Sequence, residues 1–294
     1  MQLYVPPDMH GRTVLVTGGS GGIGFETARA LALAGATVGL TARDAGRGAA
    51  ARDAIREAAG HDRVELYLCD FEDMTGVYRL VDEVRSVHEC LDVLVNNAGA
   101  IFSMRGLTTQ GLELTWQVDH LCAFLLTNLL SDLLAAASPS RVITVSSDAH
   151  LRAVQGIDFD DPGLERAWSP FKAYAQAKLA NVMFAYELAR RWEMRGVMSN
   201  AAHPGPVRSG FGMQDWGWYG RLWSLGRRFM LTPQQGAETI VWLASSRDVE
   251  GRTGEYFYRR KPKRSSRASY DRDAQRRLWE LSARQTGLSA GTSE

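Results

Sequence analysis

Short runs of β-branched and other apolar residues alternate along the chain with longer stretches whose apolar residues recur at helical spacing. Strands are predicted at 13–17, 37–41, 64–69, 92–95, 141–145, 197–202 and 254–258. Helices are predicted at 22–34, 44–59, 73–90, 170–195 and 233–244, with two more between 108 and 136 and a short one around Leu278. This alternation favours an α/β fold, in which a doubly wound parallel β-sheet is flanked by helices on both faces.

Composition narrows the class of protein. The 294 residues are 45% apolar and 23% charged, and the net charge of +1 gives no field that would attract nucleic acid. Cys69, Cys90 and Cys122 show no metal-ligand spacing, so we expect reduced thiols and no metal. The first ten residues do not resemble a signal peptide, and the longest apolar stretch, 121–134, is too short and too polar to cross a bilayer. These features predict a cytoplasmic protein without a membrane span.

A glycine-rich loop, VTGGSGGIG (Val16–Gly24), joins the first predicted strand to the first predicted helix. A loop in this position brings backbone amides and the positive end of the helix dipole to a phosphate group. It fits two frames, G-x-G-x-x-G from Gly19 and G-x-x-x-G-x-G from Gly18. The glycines alone do not choose between a nucleotide site and a flexible turn.

Two further motifs fall at the ends of predicted strands. NNAG, Asn96 to Gly99, follows the fourth strand, which in the order 3-2-1-4-5 lies beside the first strand, at the switch point where ligands bind. The asparagines there could hold the glycine-rich loop. Ser146 and Ser147 follow the fifth strand, where a hydroxyl can bond a substrate oxygen or, alternatively, cap a turn.

The stretch YAQAK places Tyr174 and Lys178 four residues apart, on one face of a predicted helix. With nine tyrosines and four lysines in the chain, chance would give about 0.12 such pairs. An ammonium beside a phenol favours the phenolate, and bringing the phenol pKa from about 10 to near 7 requires roughly 4 kcal/mol. Tyr174 is therefore a candidate general acid and base for a carbonyl or alcohol oxygen.

Together these motifs resemble the short-chain dehydrogenase/reductase family. The resemblance rests on TGGSGGIG, NNAG, Ser147, Tyr174-x-x-x-Lys178 and the Pro204-Gly205 turn, which occur in order between residues 12 and 210. It implies the frame that begins at Gly18, a single-domain Rossmann fold and a nicotinamide cofactor. Within the family, the stretches CDFED, VSSDAH and HPGPVRS look most like the retinol-dehydrogenase-like and lipophilic-carbonyl-reductase branch.

By position, the resemblance implies that Tyr174 is the acid and base, that Lys178 holds the nicotinamide ribose and lowers the Tyr174 pKa, and that Ser147 orients the substrate oxygen. The residues it implies for cofactor binding are Thr17, Gly18, Ser20, Gly22, Ile23, Gly24, Arg43, Asp70, Phe71, Asn97, Ala98, Gly99, Tyr174, Lys178, Pro204, Gly205 and Val207, with Ser209 also bordering the nicotinamide.

One position departs from the family. Asp119 stands where the family has an asparagine that kinks the central helix and supports a proton relay through its main-chain carbonyl. An aspartate keeps that carbonyl, so activity is not excluded. We include Asp119 among the catalytic candidates, since a carboxylate near Lys178 would alter the Tyr174 pKa.

The end of the second predicted strand, GLTARD, bears on the choice of cofactor. Relatives that prefer NAD carry an acidic residue there for the ribose 2′-hydroxyl, whereas this chain has Ala42. Arg43 follows, and a guanidinium suits a 2′-phosphate. NADP(H) is therefore predicted, and a solvated arginine at the start of a helix is the alternative.

Three segments lie outside these motifs. Residues 203–232 are predicted to form a lid over an apolar substrate, or else a helical pair that packs on the core or on another subunit. The bulky apolar residues of this segment are Phe211, Met213, Trp216, Trp218, Tyr219, Trp223, Phe229 and Met230. The insertion 150–168 is expected to rim the pocket. The basic run Arg259 to Arg264 resembles a nucleic-acid patch, but a solvated surface loop is expected because the net charge is near zero.

The predicted protein is one domain over 1–294, with a dinucleotide-binding core at 11–202, a lid at 203–232 and a basic C-terminal extension at 259–294. We predict an NADP(H)-dependent oxidoreductase that transfers hydride between nicotinamide and a carbonyl or alcohol group of a small lipophilic molecule. The alternatives are a C=C reductase of the protochlorophyllide-reductase type and a catalytically silent NADP-binding regulator. No nucleic-acid partner is expected, and a homodimer and a homotetramer are both compatible with the sequence.

Overall fold

The computed structural model describes residues 3–208 and 230–288. Its strands are β1 (Thr13–Val16), β2 (Thr37–Ala42), β3 (Val64–Leu68), β4 (Val93–Asn96), β5 (Ser140–Val145), β6 (Val197–Ala202), β7 (Tyr256–Tyr258) and β8 (Lys261–Pro262). Its α-helices are α1 (Gly22–Leu33), α2 (Ala45–Ala59), α3 (Met74–Val87), α4 (Leu114–Trp116), α5 (Cys122–Leu129), α6 (Ser131–Ala136), α7 (Pro170–Arg191), α8 (Pro233–Ser245) and α9 (Arg272–Thr286).

The strands form one sheet in the order β3-β2-β1-β4-β5-β6-β7-β8. Strands β1 to β7 are parallel, and β8 runs antiparallel to β7. Strand β1 lies between β2 and β4, and Val16 is in register with both Leu40 and Val95. The chain crosses from β3 on one side of β1 to β4 on the other, so the carboxyl ends of β1 and β4 flank the switch point where ligands bind in such sheets. The predicted doubly wound α/β fold is confirmed.

Alternate residues of the strands face two different cores. Val14 and Val16 pack with Leu31 of α1 and Ile240 of α8, whereas Leu15 packs in the cluster formed by α3, α5, α7 and α9. Side chains alternate between the faces of a strand, so strands that are apolar throughout are buried on both sides. Helices therefore cover both faces of the sheet. The glycine-rich loop, the NNAG loop and the loop with Ser147 all follow the carboxyl ends of strands and lie at that edge of the sheet.

The 22-residue helix α7 carries the Tyr174 and Lys178 pair. Ser169 caps the helix by accepting a hydrogen bond from the Lys172 N–H (3.3 Å), and Pro170 stands in the first turn, where it fits without the loss of a helical hydrogen bond. Nearly all of its side chains from Ala173 onward are buried against β5, β6 and α9. The helix is thus a rigid support for the side chains of its first two turns.

Some element ends differ from the sequence prediction. Helix α3 ends at Val87 because the backbone becomes extended at His88, and α7 ends at Arg191 ahead of a short 3₁₀ turn, Glu193–Arg195. The region predicted as two helices between 108 and 136 contains α4, a π-helical turn (Gln117–Leu121), α5 and α6. Apolar spacing does not place such boundaries accurately, because helix ends fray and the last turn is often 3₁₀.

The basic run that was expected to be a solvated loop forms the turn and the second strand of the β7–β8 hairpin. Arg259 and Arg260 have φ of 50° and 61°, the pair of left-handed residues that a two-residue hairpin turn requires. Arg260 lies 3.1 Å from the Glu238 carboxylate, and Lys263 lies 2.6 Å from that of Asp148. The expectation is therefore wrong for Arg260 and Lys263, which the fold uses for ion pairs, although the side chains between them are exposed.

The described residues, 3–208 and 230–288, include no helix with both the length and the apolar composition needed to cross a bilayer. Cys69 and Cys122 are buried, Cys90 is half-buried, and all three are free thiols, as predicted.

Candidate active site

The glycine-rich loop closes against the loop that follows β4. Gly18 has a φ of 67°, in the left-handed region that favours glycine. A Cβ at position 24 would lie 2.2 Å from the Gly18 carbonyl oxygen and 2.5 Å from Asn97 Nδ2, so only glycine lets α1 begin this close to the strand. Gly22, the remaining glycine of the frame that begins at Gly18, also has a left-handed φ, of 57°. The structural constraints therefore fall on the frame that begins at Gly18.

Thr17 and Asn97 fasten the two loops together. Asn97 Nδ2 donates to the Thr17 carbonyl (2.8 Å), and the N–H groups of Asn97 and Ala98 both donate to Thr17 Oγ1 (2.9 Å each). Asn96 instead donates its side-chain amide to Thr127 Oγ1 (2.8 Å). Of the two asparagines expected to hold the loop, Asn97 does so and Asn96 does not.

The N-terminus of α1 suits an anionic ligand. No side chain caps it, and a Cβ at Gly21 would find no atom within 4 Å. The unpaired N–H groups of a first helical turn and the positive end of the helix dipole attract a phosphate group. The residues present therefore fit the pyrophosphate of a dinucleotide cofactor.

The outer end of the crevice is open to solvent. Arg43, directly after β2, is 60% exposed and lies 3.4 Å from Glu72 Oε1. Asp70, after β3, is also exposed, and its carboxylate accepts the N–H of Glu72 (3.1 Å). The Phe71 side chain, by contrast, packs in the core. Three of the predicted cofactor residues thus come together at this end, with the side chain of Phe71 turned inward.

Ser147, Tyr174 and Lys178 meet where β5 ends beside α7. The Ser147 hydroxyl hydrogen-bonds the Tyr174 hydroxyl, and Lys178 Nζ lies 5.3 Å from the centre of the Tyr174 ring. Ser147 Oγ also accepts the N–H of Ala149 (3.2 Å), which orients the serine side chain. The structure thus brings together the three residues that the motifs single out.

Asp119 joins this group from another helix. It lies in the π-helical turn between α4 and α5, a distortion that recurs at functional sites. Asp119 Oδ2 is 2.9 Å from Lys178 Nζ, with the two side chains 0% and 3% exposed, and Asp119 Oδ1 accepts the N–H of Ala100 (2.7 Å). A Cβ at Gly99 would lie 3.0 Å from both Asp119 Oδ2 and Lys178 Nζ, so the ion pair packs directly against the loop after β4.

Burial and neighbouring charges set the pKa values in this group. Burial raises the pKa of Tyr174 above its ordinary value; the Lys178 ammonium and the Ser147 hydrogen bond act to lower it, and the Asp119 carboxylate acts to raise it. Burial disfavours the Lys178 ammonium, but the Asp119 carboxylate and the Tyr174 side chain together outweigh this effect and raise the Lys178 pKa. Burial also raises the Asp119 pKa, against the opposing effect of Lys178. Lys178 therefore acts on Tyr174 in the expected direction, without bringing its pKa below the ordinary value.

Two neighbours have roles that the motifs do not predict. Ser146 Oγ donates to the Lys178 carbonyl (2.7 Å), which leaves Ser147 as the serine that faces Tyr174. Asn181 Nδ2 donates to the main-chain carbonyl of Asp119 (2.9 Å), so the carbonyl implicated in a proton relay already accepts one hydrogen bond. Asn181 follows Lys178 by three residues, and this spacing on one helix face is the signal that could have identified it.

The chain after β6 turns at Pro204 and Gly205 toward α8. Gly205 has a φ of 86°, and a Cβ there would lie 2.7 Å from Leu231 Cδ1. Val207 pairs with Leu231 through a β-bridge and packs against Gly236 of α8. This places the three predicted cofactor residues of the turn in one compact segment.

Of the predicted lid, only 203–208 and 230–232 lie within the described residues. Ser209 and the bulky apolar residues between 211 and 229 lie outside them, so the lid hypothesis stays a prediction. The insertion 150–168 folds toward the loop before α4, where Trp168 Nε1 donates to Glu113 Oε1 (3.1 Å). A cavity of about 480 Å³ between these segments is lined by Glu113, Trp116 and Asp161, among others, and it does not include the Tyr174 group.

Comparisons with known proteins identify the family. The sequence profile of the short chain dehydrogenase family matches residues 12–159. The chain is 37% identical over 294 residues to WW domain-containing oxidoreductase of Gallus gallus, covering 97% of this chain and 70% of that protein. It is 38% identical over 287 residues to retinol dehydrogenase 13 of Homo sapiens, covering 95% and 86%. The crystal structure of an uncharacterised protein from Mycobacterium paratuberculosis matches with a TM-score of 0.78 at 31% identity, covering 98% and 99%.

The chain belongs to the short-chain dehydrogenase/reductase family of oxidoreductases, whose members bind nicotinamide cofactors. Within that family it falls in the retinol-dehydrogenase-like branch.

Proposed function

We propose that this protein is an NADP(H)-dependent oxidoreductase that interconverts a carbonyl group and an alcohol on a small lipophilic molecule. The observation that carries the proposal is the group formed by Ser147, Tyr174 and Lys178. It lies beside Gly99, at the carboxyl edge of the sheet, where the glycine-rich loop also opens. A hydroxyl pair next to an ammonium, adjacent to a dinucleotide crevice, suits proton transfer to a substrate oxygen.

The roles of the side chains follow from their positions. The bound cofactor would supply or accept the hydride. In the reducing direction Ser147 would hold the substrate oxygen, and Tyr174 would donate its hydroxyl proton to that oxygen and become a phenolate. Lys178 would stabilise the phenolate and hold the ribose hydroxyls. In the oxidising direction the phenolate of Tyr174 would take the proton back from the alcohol.

The preference for NADP(H) rests on the outer end of the crevice. The acidic residue that would select NAD is absent at Ala42, and the exposed Arg43 guanidinium stands next to it. Its partner Glu72 is itself exposed, so a 2′-phosphate could replace this weak ion pair at small cost.

The preference for a lipophilic substrate rests on side chains around the carboxyl edge of the sheet. Met104 lies in the loop after β4, Leu151 and Val154 lie in the insertion after β5, and Phe171 lies in the first turn of α7. All four are large apolar side chains that the described structure leaves exposed. Exposed apolar side chains on the loops and helix start at this edge favour an apolar substrate. A cytoplasmic location and a homodimeric or homotetrameric assembly are proposed from the sequence alone.

The test is to follow NADPH and NADH oxidation with aldehydes and ketones that range from small and polar to large and apolar. Turnover with NADPH and the apolar carbonyls is expected. Reduction of a conjugated C=C bond, with the carbonyl left intact, would favour the C=C reductase. Tight NADPH binding without turnover of any substrate would favour the silent regulator.

A further inference from the structure

Asp148, the residue after Ser147, gathers three groups from other parts of the chain. Its Oδ2 lies 3.2 Å from His203 Nε2 and 2.6 Å from Lys263 Nζ. Its Oδ1 accepts a hydrogen bond from the Tyr256 hydroxyl (3.1 Å). These partners come from the end of β6, from the chain after β8 and from β7 respectively. One carboxylate therefore links the serine loop to the start of the lid segment and to the C-terminal hairpin.

The hydrogen bonds of His203 define which ring nitrogen carries the proton. The N–H of Gly205 donates to His203 Nδ1 (3.3 Å), so Nδ1 must be the acceptor. Nε2 must then carry the proton and donate it to Asp148. The His203 ring is buried, and its centre lies 4.9 Å from that of the Tyr258 ring, which is tilted by 30° against it, so the His203 ring has little freedom to turn away. The chain Asp148–His203–Gly205 thus ends on the amide that shapes the turn before Val207.

We propose that Asp148 is a positioning residue that holds His203 in the Nε2–H form, so that His203 Nδ1 anchors Gly205 and sets the Pro204–Val207 turn against the cofactor. Lys263 and Tyr256 fix the carboxylate in place for this task. The proposal rests on the proposed function for the identity of the cofactor, but its first step concerns the protein alone.

Three features support a positioning role over a plain surface ion pair. The carboxylate satisfies three donors from three segments, and its pKa is held well below the ordinary value by His203 and Lys263, in spite of partial burial. Gly205 has a φ of 86°, in the left-handed region that favours glycine, so the backbone of this turn is constrained at the residue whose N–H His203 accepts. The neighbouring His150 does not compete for Asp148, since its Nδ1 bonds the Ser147 carbonyl (2.6 Å) and its Nε2 accepts the N–H of Ser266 (3.0 Å).

The experiment compares the full-length wild type with Asp148→Ala, Asp148→Asn, Lys263→Met and, as a control, Asp132→Ala. Asp132 is an exposed carboxylate with one arginine partner, Arg85, outside the site. Nitrogen-15 NMR of the His203 ring reports the tautomer, and hydrogen exchange reports the protection of the Gly205 amide, both without cofactor. Fluorescence titration gives the Kd for NADPH, and steady-state kinetics separate the KM for NADPH from kcat.

In the wild type we expect the Nε2–H form of His203 and a protected Gly205 amide. Asp148→Ala should mix the tautomers, expose the amide and raise the Kd and KM for NADPH about tenfold, since a charge-assisted hydrogen bond is lost. Asp148→Asn, which keeps the volume and an acceptor oxygen, should show a smaller change in the same direction. Lys263→Met should also show a smaller change in the same direction. Asp132→Ala should match the wild type in the His203 tautomer, the Gly205 exchange and the Kd and KM for NADPH.

A wild-type His203 that carries its proton on Nδ1 would overturn the inference. So would Asp148 variants that fold and keep both the tautomer and the NADPH affinity. If the wild type does not bind NADPH at all, the proposed function fails separately, and the inference is then decided by the tautomer and the Gly205 exchange.

Discussion

Two ion pairs lie at opposite ends of the proposed cofactor crevice. Each joins a carboxylate to a basic side chain, but the two pairs differ in distance and in exposure to solvent. Asp119 and Lys178 lie 2.9 Å apart with side chains 0% and 3% exposed. Arg43 and Glu72 lie 3.4 Å apart with side chains 60% and 43% exposed. Water and salt screen the outer pair, whereas the inner pair interacts through protein. The buried pair of Asp119 and Lys178 is therefore a fixed part of the structure, whereas the exposed pair of Arg43 and Glu72 can be replaced by a ligand.

The surroundings of each pair reinforce this difference. The inner carboxylate is also held by the Ala100 N–H, and the pair packs against Gly99, where no Cβ intervenes. The outer arginine has no comparable constraint among the contacts described. A rigid, buried ion pair suits a site that must place a proton at one atom. An exposed ion pair suits a site where the arginine must exchange its carboxylate partner for a ligand.

The inner end should be the more sensitive to the loss of a single atom. Tyr174→Phe removes only a hydroxyl, so the fold and NADPH binding should persist while turnover falls by about 10²–10⁴-fold, because a general acid and base is lost. Steady-state rates with the best carbonyl substrate, beside a separate NADPH titration, measure both effects. Full turnover by a variant that still binds NADPH would remove Tyr174 from the mechanism.

Breaking the inner pair should cost stability. Asp119→Ala leaves the buried Lys178 ammonium without its partner, and we expect a loss of about 3–5 kcal/mol in the free energy of unfolding. Urea unfolding of the wild type and the variant measures it. A variant within about 1 kcal/mol of the wild type, the range of a surface pair, would show that the inner pair is screened like the outer one.

Asp119→Asn tests the charge of the inner pair while keeping its shape. The carboxylate acts to raise the Tyr174 pKa, so its neutralisation should lower that pKa. The rate of alcohol oxidation, which rises with pH as the phenol ionises, should then rise at lower pH than in the wild type. A pH–rate series on both proteins decides this, and an unchanged profile, or a move to higher pH, would contradict the coupling.

At the outer end, Arg43→Ala should change the choice of cofactor and leave stability almost unaffected. The loss of one charge-assisted contact to a 2′-phosphate costs about 1.5–3 kcal/mol, so the preference for NADPH over NADH should narrow by about tenfold or more. Titration of both cofactors, repeated at high salt, measures the preference. Equal affinities for the two cofactors in the wild type would contradict the proposed preference for NADP(H).

The smallest effect is expected from Glu72→Gln. It removes the partner of Arg43, and exposed pairs contribute about 0–1 kcal/mol to stability. NADPH should bind as well as before or slightly more tightly, since the guanidinium no longer has to leave a carboxylate. Weaker binding of NADPH would mean that Glu72 orients Arg43 instead of competing for it.

Local patterns predicted most of the fold and the residues of the candidate active site. Strand and helix periodicity identified the doubly wound sheet, and the spacing of Tyr174 and Lys178 identified one face of α7, because both depend on neighbours within a few residues. Element ends and the basic run were less accurate: the hairpin at Arg259 and Arg260 requires two left-handed non-glycine residues, which the sequence does not suggest.

By itself, the sequence determined the alternation of strands and helices, the order of the first five strands in the sheet, the glycine-rich loop and the presence of a tyrosine, a lysine and a serine on the ligand side of the sheet. Only the tertiary structure decided which charges those groups meet. Asp119 reaches Lys178 from another helix, and Lys263 reaches Asp148 from 115 residues away. The physical reason is that charge interactions depend on distance in space and on burial, and neither quantity is carried by the spacing of residues along the chain.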